Sequence, residues 1–444
     1  MSKQSKRIIL LVAIGQILFI VGILAVPRIV QAIPGRYRIR LPEQLVELVT
    51  TPLPTALPAP AVAAEPATIT IPNLQPTVAP TETPSPTATA EQVAQVTAAP
   101  TDTPTPTATP THTPTPEPLP ERAVIEGMKG IPQGFNNCGP ANLTQVLAWY
   151  GDPTTQTVAA AYLKPNPEDR NVSPWQLSDY VNDFTALKST VHSGGNMELL
   201  KRFLAAGFPV VIEKGYEPNT AGAEGWYGHY LTVYGYDDTL EEIYTLDTYQ
   251  QPYIDGNRVD TYEDILYYWQ QFNYTFYVVY QPFQEETVHN ILGPDLLDPI
   301  KMWQAASLKA QADIEAAPED PFAWLNLGVS LTRLGEATGD AAYYQNGAAA
   351  FDQARTIGLP PRTLWYEFRP YMAYWKSGRF DDVMTLTDSV LANEGGRNVE
   401  ETYYYRGLAL LSQGKVTEAV AAFEQALALN TNFYPAQLVL DSLR

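Results

Sequence analysis

The chain has a single cysteine, Cys138, and only four histidines in 444 residues. One cysteine excludes an internal disulfide, and no paired Cys or His spacing forms a structural zinc motif, so no metal or other cofactor is expected. Positive charge is scarce as well: 28 Lys and Arg stand against 48 Asp and Glu, a net charge of −20 at pH 7. Nucleic-acid backbones are held by basic surfaces, so this balance argues against a nucleic-acid partner. Long apolar runs are equally rare. The one long run is Ile8–Val26, broken only by Gly and Gln16, and its length is near the ~20 residues that cross a hydrocarbon core. Signal-peptide cores are shorter, about 7–15 residues. We therefore expect residues 1–30 to be an uncleaved single-pass anchor spanning the membrane at 8–26, although Val30-Gln31-Ala32 offers a small-residue cleavage site. No cysteine lies near it to carry a lipid. Basic residues decide little about orientation, because Lys3, Lys6 and Arg7 are balanced by Arg28, Arg36, Arg38 and Arg40.

Proline and threonine are plentiful in one place. Residues 51–120 carry nearly half of the 39 prolines and as many threonines, ending in a Thr-Pro rhythm. Such a segment cannot build a packed core and reads as a disordered linker. As polyproline II, at ~3.1 Å per residue, it reaches on the order of 200 Å. A stalk of this kind beside one apolar helix is more usual outside the cytoplasm, so the globular parts are expected to be extracytoplasmic. Those parts are residues 121–285 and 300–444, and their patterning differs.

Cys138 lies in Asn136-Asn137-Cys138-Gly139-Pro140-Ala141. Beyond Pro140 apolar residues recur at Leu143, Val146, Leu147 and Tyr150, one face of a helix, with Gly151 as the stop. The cysteine thus sits at the positive end of a helix dipole, where thiolate is favoured over thiol. A lone cysteine is by default a small buried hydrophobe, but other residues complete a chemistry. Gln133 could join the Cys138 N–H in an oxyanion hole. His229 opens an apparent strand, and Asp247 lies on the next, Ile243–Asp247. Thiol, imidazole, carboxylate and oxyanion donor form a nucleophilic set. His112 falls in the stalk, His289 in a connector, and His192 beside Gly194-Gly195 suits a structural role. Asp237 and Asp238 suit a turn better than a base, and Trp226 and Tyr227 suit either a cleft wall or the core.

Helices are expected over 173–184, capped by Asn171 or Ser173, and over 197–206 and 261–271, with strands at 209–213, 229–236, 243–248 and 275–280. The register of the 229–236/243–248 hairpin matters, because side chains alternate faces. An odd loop, such as 237–241, puts His229 and Asp247 on one face; an even loop parts them.

Gln133-Gly-Phe-Asn-Asn-Cys138-Gly-Pro-Ala, Trp149-Tyr150-Gly151, Gly228-His229-Tyr230, Tyr234-Gly235-Tyr236-Asp237 and Asp247 resemble the papain-like cysteine peptidases of family 39, in its broad C39-like branch. The best-known relatives trim double-glycine leaders from bacteriocins. The resemblance spans about 122–283. It implies an α+β papain-like domain and a peptide or protein substrate, with Cys138 as nucleophile, His229 as base, Asp247 as orienter and Gln133 as oxyanion donor. The segment from Leu163-Lys164-Pro165-Asn166 to Ser173-Pro174 also looks like that branch, without a chemistry of its own.

From Asp320 the pattern turns helical. Trp324, Leu327, Gly328, Leu331, Phe351 and Ala354 resemble a tetratricopeptide repeat with an insertion near 338–344. A middle copy runs over 364–392, a clearer one holds Tyr403, Gly407, Leu410, Gly414, Ala419, Phe423 and Ala426, and 433–443 caps the array. An all-α repeat domain of this kind offers a groove for a peptide or a partner protein. The sequence therefore reads as a membrane-anchored cysteine peptidase with a recognition domain. Two alternatives stand beside it: an inactive papain-like scaffold, and an amidase or acyl transferase using the same nucleophile.

Overall fold

The computed structural model describes residues 3–38, 40–47, 49, 53–61, 118–217, 225–249 and 257–444. Lys3–Ala32 forms one helix, and its Leu10–Ala32 stretch is long and apolar enough for a membrane span or a signal sequence, with only Val30 buried among its described residues. Most of the expected stalk, residues 62–117, lies outside the described residues. Its beginning is laid along the C-terminal helices: Leu57 is buried and donates its N–H to the Leu359 carbonyl at 2.8 Å, and Arg355 Nε donates to the Pro58 carbonyl at 2.8 Å.

The mixed domain is built on one antiparallel sheet of β1 (Arg122–Val124), β2 (Lys188–His192), β3 (Val210–Tyr216), β4 (Tyr227–Asp237), β5 (Glu242–Asp247), β6 (Asn257–Thr261) and β7 (Phe276–Tyr280). The strand order is β2-β7-β3-β4-β5-β6, with β1 on the far end of β4. Sequence patterning located β3, β4, β5 and β7, whereas β1, β2 and β6 were not expected. Alternation sends Val210 and Ile212 to one face and Val211 to the other. Leu200, Phe203, Ile265 and Trp269 cover the first face. Leu143, Val146, Leu147 and Leu177 cover the second, together with Tyr230 and Tyr277. Ser173 caps the Pro174–Phe184 helix with a full capping box: its hydroxyl accepts from Gln176 N–H while Gln176 Oε1 accepts from Ser173 N–H. Two reciprocal bonds fix the chain's entry into that helix.

The β4–β5 hairpin meets the expected condition by a different route. Asp237 pairs with Glu242, so the loop, 238–241, is even. Farther along, however, the register shifts between Val233 and Gly235, where Tyr234 is an extra residue on β4. A bulge changes the parity of every pair beyond it. The result is Leu231 opposite Asp247, and His229, two residues from Leu231, shares that face.

The C-terminal half is helical throughout. Pro299–Ala316 packs on the first repeat pair, Pro321–Thr338 and Ala341–Ile357; the second pair is Arg369–Lys376 and Phe380–Leu391, the third Glu400–Ser412 and Val416–Leu429, and Tyr434–Ser442 closes the stack. The expected insertion near 338–344 is absorbed by longer helices meeting at Gly339, whose φ of 75° turns the chain. Close crossing in the third pair depends on Gly407, where a Cβ would meet Phe423 Cε1 at 2.5 Å.

The repeats are pressed against the mixed domain. Asn273 Nδ2 donates to Ser330 Oγ at 3.0 Å and Asn326 Nδ2 to the Gln270 carbonyl at 2.6 Å. Trp226 packs on Phe322 at 5.3 Å and on Tyr366 at 5.9 Å. Part of the repeat surface is thus occupied by this chain's own sheet domain.

Candidate active site

Cys138 is the first residue of the Cys138–Trp149 helix and is half-buried. The first N–H groups of a helix have no acceptor within it, and the Asn137 side chain does not cap them. Instead Asn137 Nδ2 donates to Gln156 Oε1 at 2.7 Å, and Gln156 also accepts from Gly134 N–H and donates to the Pro132 carbonyl. This staples the incoming loop to the next helix. Asn136 takes a left-handed φ of 52°, a conformation that needs local support in a non-glycine residue. The support comes from Lys164, buried, whose Nζ donates to the Asn136 carbonyl at 2.8 Å and the Asp169 carbonyl at 2.6 Å. The 163–174 segment, without a role in the sequence reading, is the floor under the cysteine loop.

His229 is buried, and its Nε2 donates to Asp247 Oδ1 at 2.8 Å. Cys138 also favours the charged form of its imidazole; with Nε2 committed to Asp247, Nδ1 is the nitrogen left for sulfur. Burial works against a charged imidazole here, but the Asp247 carboxylate and then Cys138 outweigh it, and the pKa rises to about 9. Asp247 moves the other way: burial would raise its pKa, while the His229 charge and hydrogen bond, the Tyr249 N–H and Arg258 hold it below the usual carboxylate range. The Tyr249 N–H reaches Oδ1 at 2.9 Å, and Arg258 Nη1 reaches Oδ2 at 3.0 Å. Arg258 is itself fixed by Asp260 at 2.6 Å. The rings of Tyr216 and Tyr249 flank the imidazole at 5.8 and 6.2 Å.

Gln133 is held by both ends of Thr248. Its backbone N–H donates to the Thr248 carbonyl at 2.8 Å, and its Oε1 accepts from the Thr248 hydroxyl at 2.8 Å. With the amide oxygen taken, the –NH₂ group is left to donate to a ligand. Thr248 Oγ1 accepts in turn from Asn142 Nδ2, which also donates to the Tyr230 carbonyl. Asn142, Gln145 and Thr232 continue this network between helix and sheet.

The structure thus brings together all four residues singled out by sequence. Those it adds are Asn142, Thr248, Lys164 and Arg258. Polar residues at 142 and 145, three apart on a largely apolar helix, were a readable signal; Thr248, Lys164 and Arg258 depend on tertiary placement alone. Of the other candidates, His192 is buried beside Thr190 Oγ1 at 2.9 Å, and burial lowers its pKa to about 4, which keeps it neutral. Asp237 Oδ1 closes the hairpin turn by accepting from Thr239 and Leu240 N–H, and Asp238 pairs with Lys201. Trp226 is interdomain packing, donating Nε1 to Gln271 Oε1 at 2.7 Å. His112 lies outside the described residues. Among the described residues no group of three or more His, Cys, Asp or Glu is placed to hold a metal ion.

A sheet carrying imidazole and carboxylate, packed on a helix that begins with a thiol, is the architecture of a cysteine peptidase-like domain. The comparisons narrow the class: residues 124–277 match the Peptidase_C39 like family, and residues 400–433 match the tetratricopeptide repeat. The fold is that of a C39-like cysteine peptidase joined to a helical region with tetratricopeptide repeats. Among solved structures, the chain is similar to one described as a C39-like peptidase from Bacillus anthracis, with 17% identity over 36% of this chain and 98% of that one and a TM-score of 0.29. It is also similar to xylellain, a cysteine protease from Xylella fastidiosa, with 14% identity over 37% of this chain and 87% of that one and a TM-score of 0.27. No curated protein matches the chain.

Proposed function

We propose that this protein is a membrane-anchored, extracytoplasmic cysteine peptidase. The observation that carries the reading is the buried His229–Asp247 pair, bonded at 2.8 Å, with the Cys138 side chain at the helix start acting on the same imidazole. In the reaction, the Cys138 thiolate attacks the amide carbonyl carbon. The oxyanion that forms accepts from Gln133 Nε2 and the Cys138 N–H. Protonated His229 then gives its Nδ1 proton to the leaving nitrogen, and the C–N bond breaks to leave a thioester. Water, deprotonated by the now neutral His229, attacks that thioester and releases the acid and the thiolate. Asp247 keeps the Nε2 proton in place and balances the imidazolium charge. The exposed apolar helix near the N-terminus and the Thr/Pro-rich composition of 51–120 support anchoring and an extracytoplasmic site.

The test uses the sole thiol. Iodoacetamide should label Cys138 of the native protein at pH 7 much faster than the same thiol in denatured protein, and His229→Ala should remove most of that advantage. Equal rates in native, denatured and His229→Ala protein would overturn the reading in favour of an inactive scaffold.

Gln133 gives a second measurement. Gln133→Ala should lower kcat about 10²–10³-fold with little change in KM, the cost of one oxyanion donor. Thr248→Val, which removes the bond that aims Gln133 together with the one from Asn142 Nδ2, should lower kcat roughly fivefold or more, in line with ~1 kcal/mol per hydrogen bond. Steady-state kinetics on a fluorogenic peptide decides both.

A further inference from the structure

Between the sheet domain and the repeats lies a cavity of about 540 Å³, within the ~300–1,000 Å³ range of small-ligand sites. Its walls come from both halves: Trp175 and Trp226 from the first, Trp303, Tyr366, Tyr404 and Phe433 from the second. Trp175 stacks on Trp303 at 6.2 Å, and the Arg333 guanidinium lies 4.5 Å over Trp175. Two polar atoms of wall residues, Thr363 Oγ1 and Arg333 Nε, are buried and have no partner among the described residues; Thr363 is 1% exposed. Neither atom has accessible surface, so both are shut behind the wall and the face offered to what enters is the aromatic one. Two arginines of the wall, Arg333 and Arg369, share Glu336, and four carboxyl groups, of Asp179, Glu213, Glu367 and Glu401, also line it.

One end of the cavity abuts the candidate active site. Tyr366 lies so close to Gly228, the residue before His229, that a Cβ there would meet its Cδ1 at 2.9 Å. The charge of Cys138 also bears on the Tyr366 hydroxyl and on the Glu213 carboxyl, both in the wall.

We propose that this interdomain cavity receives an aromatic side chain of the peptide substrate, so that the repeat domain supplies half of the specificity pocket. The aromatic walls hold the ring. The inference rests on the peptidase reading for the identity of the ligand as substrate, and its test is chosen to fail separately.

In the full chain carrying Cys138→Ala, N-acetyl-phenylalaninamide should bind at least about tenfold more tightly than N-acetyl-glycinamide, measured by tryptophan fluorescence, a size of discrimination ordinary for apolar pockets. Trp303→Ala should abolish that preference. In the wild type, a phenylalanine chloromethyl ketone should alkylate Cys138 faster than its glycine analogue, and Trp303→Ala should slow only the phenylalanine reagent, leaving iodoacetamide labelling as it was. Absence of the preference, or its survival in Trp303→Ala, overturns the proposal. Failure of the peptidase reading would show instead as iodoacetamide labelling indifferent to His229→Ala, whatever the binding result.

Discussion

Asp247→Asn is expected to lower kcat on a peptide substrate by about 10³–10⁴-fold while leaving the thermal midpoint within a few degrees. Both carboxylate oxygens already accept: Oδ1 from His229 Nε2 and the Tyr249 N–H, Oδ2 from Arg258. An amide has only one oxygen, so either orientation sets its NH₂ against a donor, and the orientation that spares Arg258 selects the wrong imidazole tautomer. That is the physical origin of losses near 10⁴ when an orienting carboxylate is amidated. The pH profile should move as well. With Asp247 in place the His229 pKa is raised to about 9, so the wild-type imidazolium persists through neutral pH and kcat/KM should fall as pH passes about 9. Without the carboxylate, the burial that opposes charge is unbalanced, and the pKa should drop below the ~6.5 of an ordinary histidine. The sign for stability is the same: a raised histidine pKa contributes most below about 6.5 and is lost as pH rises through about 9. An unchanged alkaline limb in Asp247→Asn would show that this carboxylate does not govern His229.

Lys164→Met should be the most destabilising single substitution near the site, at about 3–5 kcal/mol by denaturant unfolding. Lys164 is buried, its charge faces Asp169, and its ammonium satisfies two carbonyls. Removing one partner of a buried set leaves the others desolvated and unpaired, which costs far more than the set contributes when intact. Because one of those carbonyls belongs to left-handed Asn136, the cysteine loop should loosen too. Iodoacetamide labelling of the folded variant should therefore slow. A variant with wild-type stability would mean that water replaces the ammonium at no cost.

Much of this could be read from the chain before folding. Cys138, His229, Asp247 and Gln133 stood out as candidates because chemistry needs particular residue types, and the helix after Pro140 announced itself by its period. What stayed hidden depended on tertiary placement. Lys164 looked like a loop lysine, since nothing local tells a solvated ammonium from one that plugs two carbonyls. Arg258 lies in β6, a short strand with a polar Asn-Arg-Val-Asp-Thr sequence that no alternation marks. Tyr234 sits in a run of alternating tyrosine and glycine that gives no sign of an extra residue. The covering of the repeats by the sheet domain was invisible for a further reason: an apolar helix face looks the same whether its partner lies in the same chain or in another.

The Tyr234 bulge acts as a parity check on the hairpin. What the bulge guards against is re-pairing: with the same loop and an unbroken ladder, this sequence would set Thr232 opposite Asp247 and send the carboxylate to the face away from His229. Residues gained or lost within the 238–241 loop leave Leu231 opposite Asp247, so the turn is free to vary in length while the extra residue at Tyr234 must stay out of the ladder.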